Sequence, residues 1–218
     1  MKERDRFAVP LLLRDFGGTS MGGKLQSRIF DVVLGVVAGA AVFAMAPLHA
    51  QDNIGEKVQV CAGCHGDDGK PVDKTIPNIW GQQAGYLYIQ LRDFKRGDRK
   101  SDIMQPIAAA FERSDMLAIA EYFSQKKWPD LGQPRAPKDV ASRAQTANGS
   151  VGCTGCHLEQ YQGYSTIPRL AGQSREYLSK TMADFRSRTR GNNPGMSDLM
   201  IATPLDDLTA LAQYLAGL

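Results

Sequence analysis

Histidine is nearly absent, with three in 218 residues, so chemistry that needs several imidazoles at one site has little to draw on. A charge excess is missing too. The chain carries 26 Lys and Arg against 23 Asp and Glu, and without residues 1–50 the balance is 20 to 19. Nucleic-acid binding uses a clustered basic surplus, so no nucleic-acid partner is expected. The halves differ only slightly, with 11 basic and 12 acidic groups in 51–130 and 9 and 7 in 131–218. That difference is a weak dipole that would orient the chain toward a charged partner. No stretch alternates apolar and polar residues as a half-buried strand would. No apolar run reaches the roughly 20 residues of a membrane-spanning helix. No Arg-Arg pair points to twin-arginine export.

The longest apolar run, Val32 to Ala46, follows Arg28 and precedes Pro47-Leu48-His49-Ala50. A basic flank, an apolar stretch and a small residue describe a Sec-type signal peptide, cut after Ala50. An uncleaved membrane anchor is the alternative. Residues 1–20 mix acids, bases and a second apolar patch, Val9 to Leu13, unlike the start of a signal, and Met21 is the alternative start.

Self-similarity organises the rest. Cys61-Ala-Gly-Cys64-His65 recurs as Cys153-Thr-Gly-Cys156-His157, 92 residues on. Pro77 to Gln82 recurs as Pro168 to Gln173, Tyr86 as Tyr177 and Asp93-Phe94 as Asp184-Phe185, each at 91. Met104 pairs with Met196 and Tyr122 with Tyr214, at 92 again. The chain is a tandem duplication. Its expected parts are an N-terminal extension and signal over 1–50, a first domain over 51–127, a connector over 128–138 and a second domain over 139–218. Three prolines between Trp128 and Pro137 make the connector extended and semi-rigid.

Each copy reads as helices alone, so the expected fold class is all-α. A helix from about Ile54 runs into the first cysteine motif, matched by one from about Val140. Ala84, Leu87, Leu91 and Phe94 recur at the period of a helix face, as do Leu178, Met182 and Phe185. The last helix of copy one is predicted to start after Ser114 as N-cap and to bury Leu117, Ala120 and Tyr122–Phe123. Its counterpart is predicted to follow Asp206 and bury Leu208, Leu211 and Leu215. Domains of roughly 80 residues are small for a core of side chains alone, and a large apolar cofactor in each would supply the remainder.

Cys-x-x-Cys-His is the attachment signal for a c-type haem. Positions i, i+3 and i+4 share a helix face, so two thiols meet the porphyrin vinyl groups while the imidazole reaches the iron. Cys61 and Cys64 are the expected thioether residues of the first haem and His65 its proximal ligand. Cys153, Cys156 and His157 do the same for the second. Two disulfides would leave both histidines unexplained. A zinc site would want its cysteine pairs closer together, and a thioredoxin-like pair would want a βαβ setting.

With His49 removed in the signal, no histidine remains for a sixth ligand. Methionine is the usual distal alternative and raises the reduction potential. The repeat offers Met104 and Met196 as axial ligands, with Met200, four residues later, as competitor to the second. Met116 and Met182 read as core residues. Trp80, Gln82, Arg169 and Gln173, in the repeated loop, are candidate contacts to the haem propionates.

The two attachment motifs, Pro77–Gln82 with Pro168–Gln173, Met104-Gln-Pro-Ile-Ala, and Ser114 through Phe123 together resemble the diheme cytochromes c of the c4 type. The resemblance covers residues 52–218. It implies a periplasmic carrier, soluble or peripherally associated with the membrane, with two covalent haem c groups. Its implied partners are redox proteins of the respiratory chain: a donor such as a cytochrome bc1-type complex and an acceptor such as a terminal oxidase. Copy two departs from the pattern, since Met196 lacks the Pro-Ile-Ala that follows Met104. The expected mechanism is outer-sphere electron transfer with both axial ligands kept, and the chain is not expected to be an enzyme. The alternatives are a cytochrome subunit of a periplasmic dehydrogenase complex and, less favoured because it wants an open sixth position, a diheme peroxidase.

Overall fold

The computed structural model describes residues 54–218, all within one compact unit. The expected export segment, with Met21, His49 and Ala50, lies outside the described residues. Among the described residues the periodic segments form nine helices, and the only β pairing is an isolated bridge between Tyr164 and Ile167.

Copy one contains α1 (Ile54–His65), α2 (Ala84–Arg96), α3 (Met104–Ala109) and α4 (Arg113–Ser124). Copy two contains α5 (Lys138–Val151), α6 (Cys153–His157), α7 (Arg175–Arg186), α8 (Pro194–Ala202) and α9 (Leu205–Ala216). The packing repeats with the sequence. In copy one α4 lies against α1 and α2, and α3 against α2; in copy two α9 lies against α5 and α7, and α8 against α7. Each copy has its own apolar cluster, one around Leu87, Met116, Ile119 and Phe123, the other around Leu178, Met182, Leu211 and Leu215.

The last helix of copy one differs from its expectation at both the cap and the face. It starts at Arg113, and Glu112 is the cap residue, its N–H donating to the Asp115 carboxylate at 3.0 Å. Ser114 therefore lies inside the first turn. The buried stripe is Met116, Ile119, Ala120 and Phe123, which turns Leu117 outward at 43% exposure and leaves Tyr122 half-buried. In α9, Leu208, Leu211 and Leu215 are buried as expected, but the helix begins right after Pro204 and Asp206 falls in its first turn. Met116 and Met182 are core residues. The short helices α3 and α8, which carry Met104 and Met196, had no periodic signature.

Residues 125–137 contain no helix, and one side chain pins this stretch to copy two. The Gln133 amide donates to the Gln173 carbonyl at 2.9 Å and accepts the Arg175 N–H at 2.8 Å. The repeated loops are anchored alike: Gly81 N–H donates to the Phe123 carbonyl and Gly172 N–H to that of Leu215, each at 2.8 Å.

Candidate haem-binding sites

In copy one the attachment motif forms the end of α1, so Cys61, Cys64 and His65 follow one another on a helical turn. In copy two Gly152, at φ 77°, stops α5 in a left-handed conformation, and Cys153–His157 coil separately as α6. The four cysteines are free thiols, half-buried except for exposed Cys156. Burial pushes the Cys61 thiol up to about 11 and raises that of Cys153.

Both motif histidines are buried, and each Nδ1 donates to a proline carbonyl: Pro77 at 2.8 Å for His65 and Pro168 at 2.9 Å for His157. A carbonyl only accepts, which assigns the proton to Nδ1 and leaves the Nε2 lone pair for a metal. Burial lowers both imidazole pKa values and the proline carbonyls oppose it; at His65 the Arg99 charge adds to the lowering. Burial thus favours the neutral ring at both sites, the form that ligates metal.

The loops that carry these carbonyls turn differently. Gly66, directly after His65, has φ 84°, and a Cβ there would collide with the backbone of Lys70. Its equivalent is Leu158, at φ 66° and ψ 165°, a region costing a side chain on the order of 1–3 kcal/mol. Copy two also needs Gly163, at φ 64°, where a Cβ would meet the Pro168 carbonyl oxygen at 2.5 Å.

Met104 opens α3 and Met196 lies in the first turn of α8, both half-buried. The Met104 N–H donates to Ser101 Oγ and the Met196 N–H to Asn193 Oδ1, each at 3.1 Å. Ser101 and Asn193 are 92 residues apart, as the methionines are, so the two methionines occupy equivalent capped turns. Met200 is 3% exposed within the second core.

Three of the four residues proposed from sequence to meet the propionates, Gln82, Arg169 and Gln173, gather about the seam between the copies. The Gln82 amide donates to the Arg169 carbonyl at 2.9 Å and accepts the Arg169 N–H at 2.7 Å. Gln173 makes the mirror pair with Asn78, both bonds at 2.9 Å. The Arg169 guanidinium lies 4.5 Å over the Trp128 ring, and its burial lowers its pKa. Trp80 packs against the first core, with its N–H donating to Asn78 Oδ1 at 2.8 Å.

A second seam cluster was missed by the sequence reading. Arg99 donates to Gln90 Oε1 at 2.9 Å and to the Tyr177 hydroxyl at 3.2 Å. Arg190 donates to the same Gln90 oxygen at 2.9 Å and to the Tyr86 hydroxyl at 3.2 Å. Arg99 and Arg190 share the 91-residue offset of the two tyrosines, the signal that would have found them.

Comparison with known proteins decides the family. The sequence profile of the cytochrome c family matches residues 36–127. Cytochrome c4 of Pseudomonas aeruginosa is 36% identical over 172 residues, covering 74% of this chain and 85% of the relative. This chain belongs to the cytochrome c4 family. A second relative, the thiosulfate dehydrogenase electron acceptor of Stutzerimonas stutzeri, is 33% identical over 181 residues, covering 78% of this chain and 84% of the relative. The crystal structure of reduced recombinant cytochrome c4 from Pseudomonas stutzeri matches with a TM-score of 0.68 and 30% identity, over 76% of this chain and 96% of that one. The chain is accordingly an all-α diheme cytochrome of two cytochrome c domains, an electron carrier and not an enzyme, with two covalently attached haem c groups. Its residues fit that cofactor, since each copy presents two free thiols, a neutral imidazole with its Nε2 lone pair available and a half-buried methionine. No helix among the described residues is long and apolar enough to cross a membrane.

Proposed function

We propose that Cys61 and Cys64 hold one haem and Cys153 and Cys156 the other, with His65 and Met104, and His157 and Met196, as the axial pairs. Residues 51–127 and 139–218 are then the two haem domains, joined by 128–138. One observation carries this reading: each copy matches a buried histidine held on a proline carbonyl with a methionine at an equivalent capped turn. The core position of Met200 supports Met196 as the second distal ligand. Arg169 meets no carboxylate within ion-pair distance among the described residues, which supports it as a propionate contact. Trp80 remains a candidate, whereas the amides of Gln82 and Gln173 are engaged across the seam.

When bound, each haem supplies an iron that cycles between ferric and ferrous. The chain's own work is positioning and tuning. The Pro77 and Pro168 carbonyls fix the imidazole planes and make Nε2 a stronger donor. The methionine sulfurs would favour the reduced state, and Ser101 and Asn193, which accept the two methionine N–H groups, hold their turns in place. The apolar clusters keep water from the ligands, so little rearranges as an electron arrives or leaves.

The carrier is read as a periplasmic protein, exported by the segment over 1–50. It takes electrons from a donor such as a bc1-type complex and passes them toward a terminal oxidase. The name of the Stutzerimonas relative favours a second reading, service as electron acceptor for a periplasmic dehydrogenase, and stable co-purification with such an enzyme would select it.

Visible spectra of the oxidised and reduced protein, with a haem-to-protein ratio, test the ligand assignment. Two haems per chain and a full-strength far-red band of sulfur-ligated ferric iron are expected. Met104→Ala and Met196→Ala should each halve that band and lower the potential of one haem only. A band untouched by Met196→Ala but halved by Met200→Ala would overturn the second pair.

A further inference from the structure

Each helix that carries a proposed distal methionine ends in the grip of one cation. Arg186, the last residue of α7, donates from Nη1 to three carbonyls at the close of α8: Met200 at 2.7 Å, Ile201 at 2.8 Å and Thr203 at 2.7 Å. A helix leaves its last carbonyls without partners of its own, and they form the negative end of its dipole. A guanidinium placed there answers both. The Leu199 carbonyl is taken as well, by the Thr203 N–H at 3.1 Å and the Thr203 hydroxyl at 2.7 Å. Among the described residues Arg186 has no carboxylate at ion-pair distance, so its charge is spent on these carbonyls.

Copy one repeats the contact with a lysine. Lys95, 91 residues before Arg186, donates from Nζ to the Phe111 carbonyl at 2.7 Å and to Glu112 Oε1 at 3.2 Å. Phe111 stands seven residues after Met104, and Thr203 seven after Met196. The same carbonyl is therefore held in both copies, by a side chain from the last turn of the preceding long helix. Ser101 and Asn193 fix the opposite end of each methionine helix. The grips differ in strength, with one carbonyl in copy one, where Glu112 shares the ammonium, and three in copy two. Met196 and Met200 stand four residues apart on α8 and share a face, so a slide of one turn would exchange them. Arg186 holds the carbonyl of Met200 itself and blocks that slide.

We infer that Lys95 and Arg186 are positioning residues that set how readily each methionine sulfur leaves its iron, and that the threefold grip makes Met196 the slower to leave. The inference rests on the axial-ligand reading above. A departed sulfur opens the sixth position to outside donors, so the brace is what keeps small ligands off the second haem.

The test is imidazole binding to the oxidised holoprotein, followed at the far-red sulfur–iron band. An imidazole nitrogen takes the place the sulfur gives up, with no electron exchanged, and the band fades. The unaltered protein should lose it in two equal phases, which Met104→Ala and Met196→Ala assign by each removing one. Arg186→Gln should speed only the slower, copy-two phase, by at least about tenfold, the worth of one charge-assisted hydrogen bond. Lys95→Gln should speed only the other. Arg186→Lys keeps the charge and a reach to one carbonyl, as Lys95 does, and should bring the slower phase to the rate of the faster. It reads the brace even if the glutamine variant fails to assemble. Arg143→Gln cuts the 2.6 Å pair with Asp207 that ties α5 to α9, loosening copy two elsewhere, and should leave both rates unchanged. Rates unmoved by Arg186→Lys and Lys95→Gln, a faster phase for copy two, or equal acceleration by Arg143→Gln overturns the inference. A half-strength band in the unaltered protein instead sinks the axial assignment beneath it.

Discussion

The two motif histidines were legible because a covalent attachment motif fixes residue types at fixed spacing. Their partners were not, because a proline carbonyl offers a backbone atom and leaves no mark of its own in the side-chain pattern. The structure shows what holds those carbonyls, and Gly163 is the sharpest case. Its φ of 64° costs an L-residue about 1–2 kcal/mol, and a Cβ would press on the oxygen that orients His157. Gly163→Ala should destabilise copy two by at least about 2 kcal/mol and disturb the second haem more than the first. Denaturant titration followed at the haem absorption would show it, and unchanged stability would refute the argument. Leu158 makes the opposite point, since the repeat places it where copy one has Gly66, and nothing in the sequence shows that the chain there accepts a side chain at positive φ.

Helices were legible wherever packing imposes a period, as in Leu87, Leu91 and Phe94 on α2 or Leu208, Leu211 and Leu215 on α9. Their ends were not, because local partners decide them: Glu112 with Asp115 for α4, Pro204 for α9 and the left-handed Gly152 for α5. The displaced start of α4 changes what Asp115 does. Besides capping, it accepts from Lys57 on α1 at 2.7 Å and so ties the attachment helix to α4. The Lys57 hydrogen bond is the main cause holding the Asp115 carboxyl below its ordinary range, with the Glu112 N–H assisting. A carboxylate with a lowered folded pKa stabilises fully above its unfolded pKa and loses that contribution as pH falls through the folded value. Copy one should therefore weaken as acid protonates Asp115, and Asp115→Asn should flatten that part of the stability–pH profile. An unaltered profile in the variant would show the tie to be idle.

At the scale of the molecule the duplication was legible but its interlocking was not, because residues 91 apart give no hint that each copy completes the other. Gln82 and Gln173 are the case in point: repeated in register between the copies, they read as candidate propionate contacts and serve as cross-bridges. Gln173→Ala leaves a buried N–H and C=O of Asn78 without partners, costing on the order of 1–3 kcal/mol per group, and Gln82→Ala does the same to the part-buried pair of Arg169 at a smaller cost. The double variant should unfold its two copies in separate denaturation transitions, and a single unshifted transition would show that the bridges do not couple them. The same exchange has a consequence for descent. A glutamine that takes the backbone of residue 169 while its twin takes that of residue 78 is the reciprocity of an isologous interface, in which residue i contacts j and j contacts i. The seam has the form of a homodimer contact made internal by gene fusion. Once each loop finishes the other's hydrogen bonds, deleting either copy strips its sibling, so the fused state resists reversion. Gln90 against Thr181 marks where that reciprocity has lapsed: Gln90 accepts from Arg190 across the seam at 2.9 Å, and a threonine stands at the equivalent place in copy two.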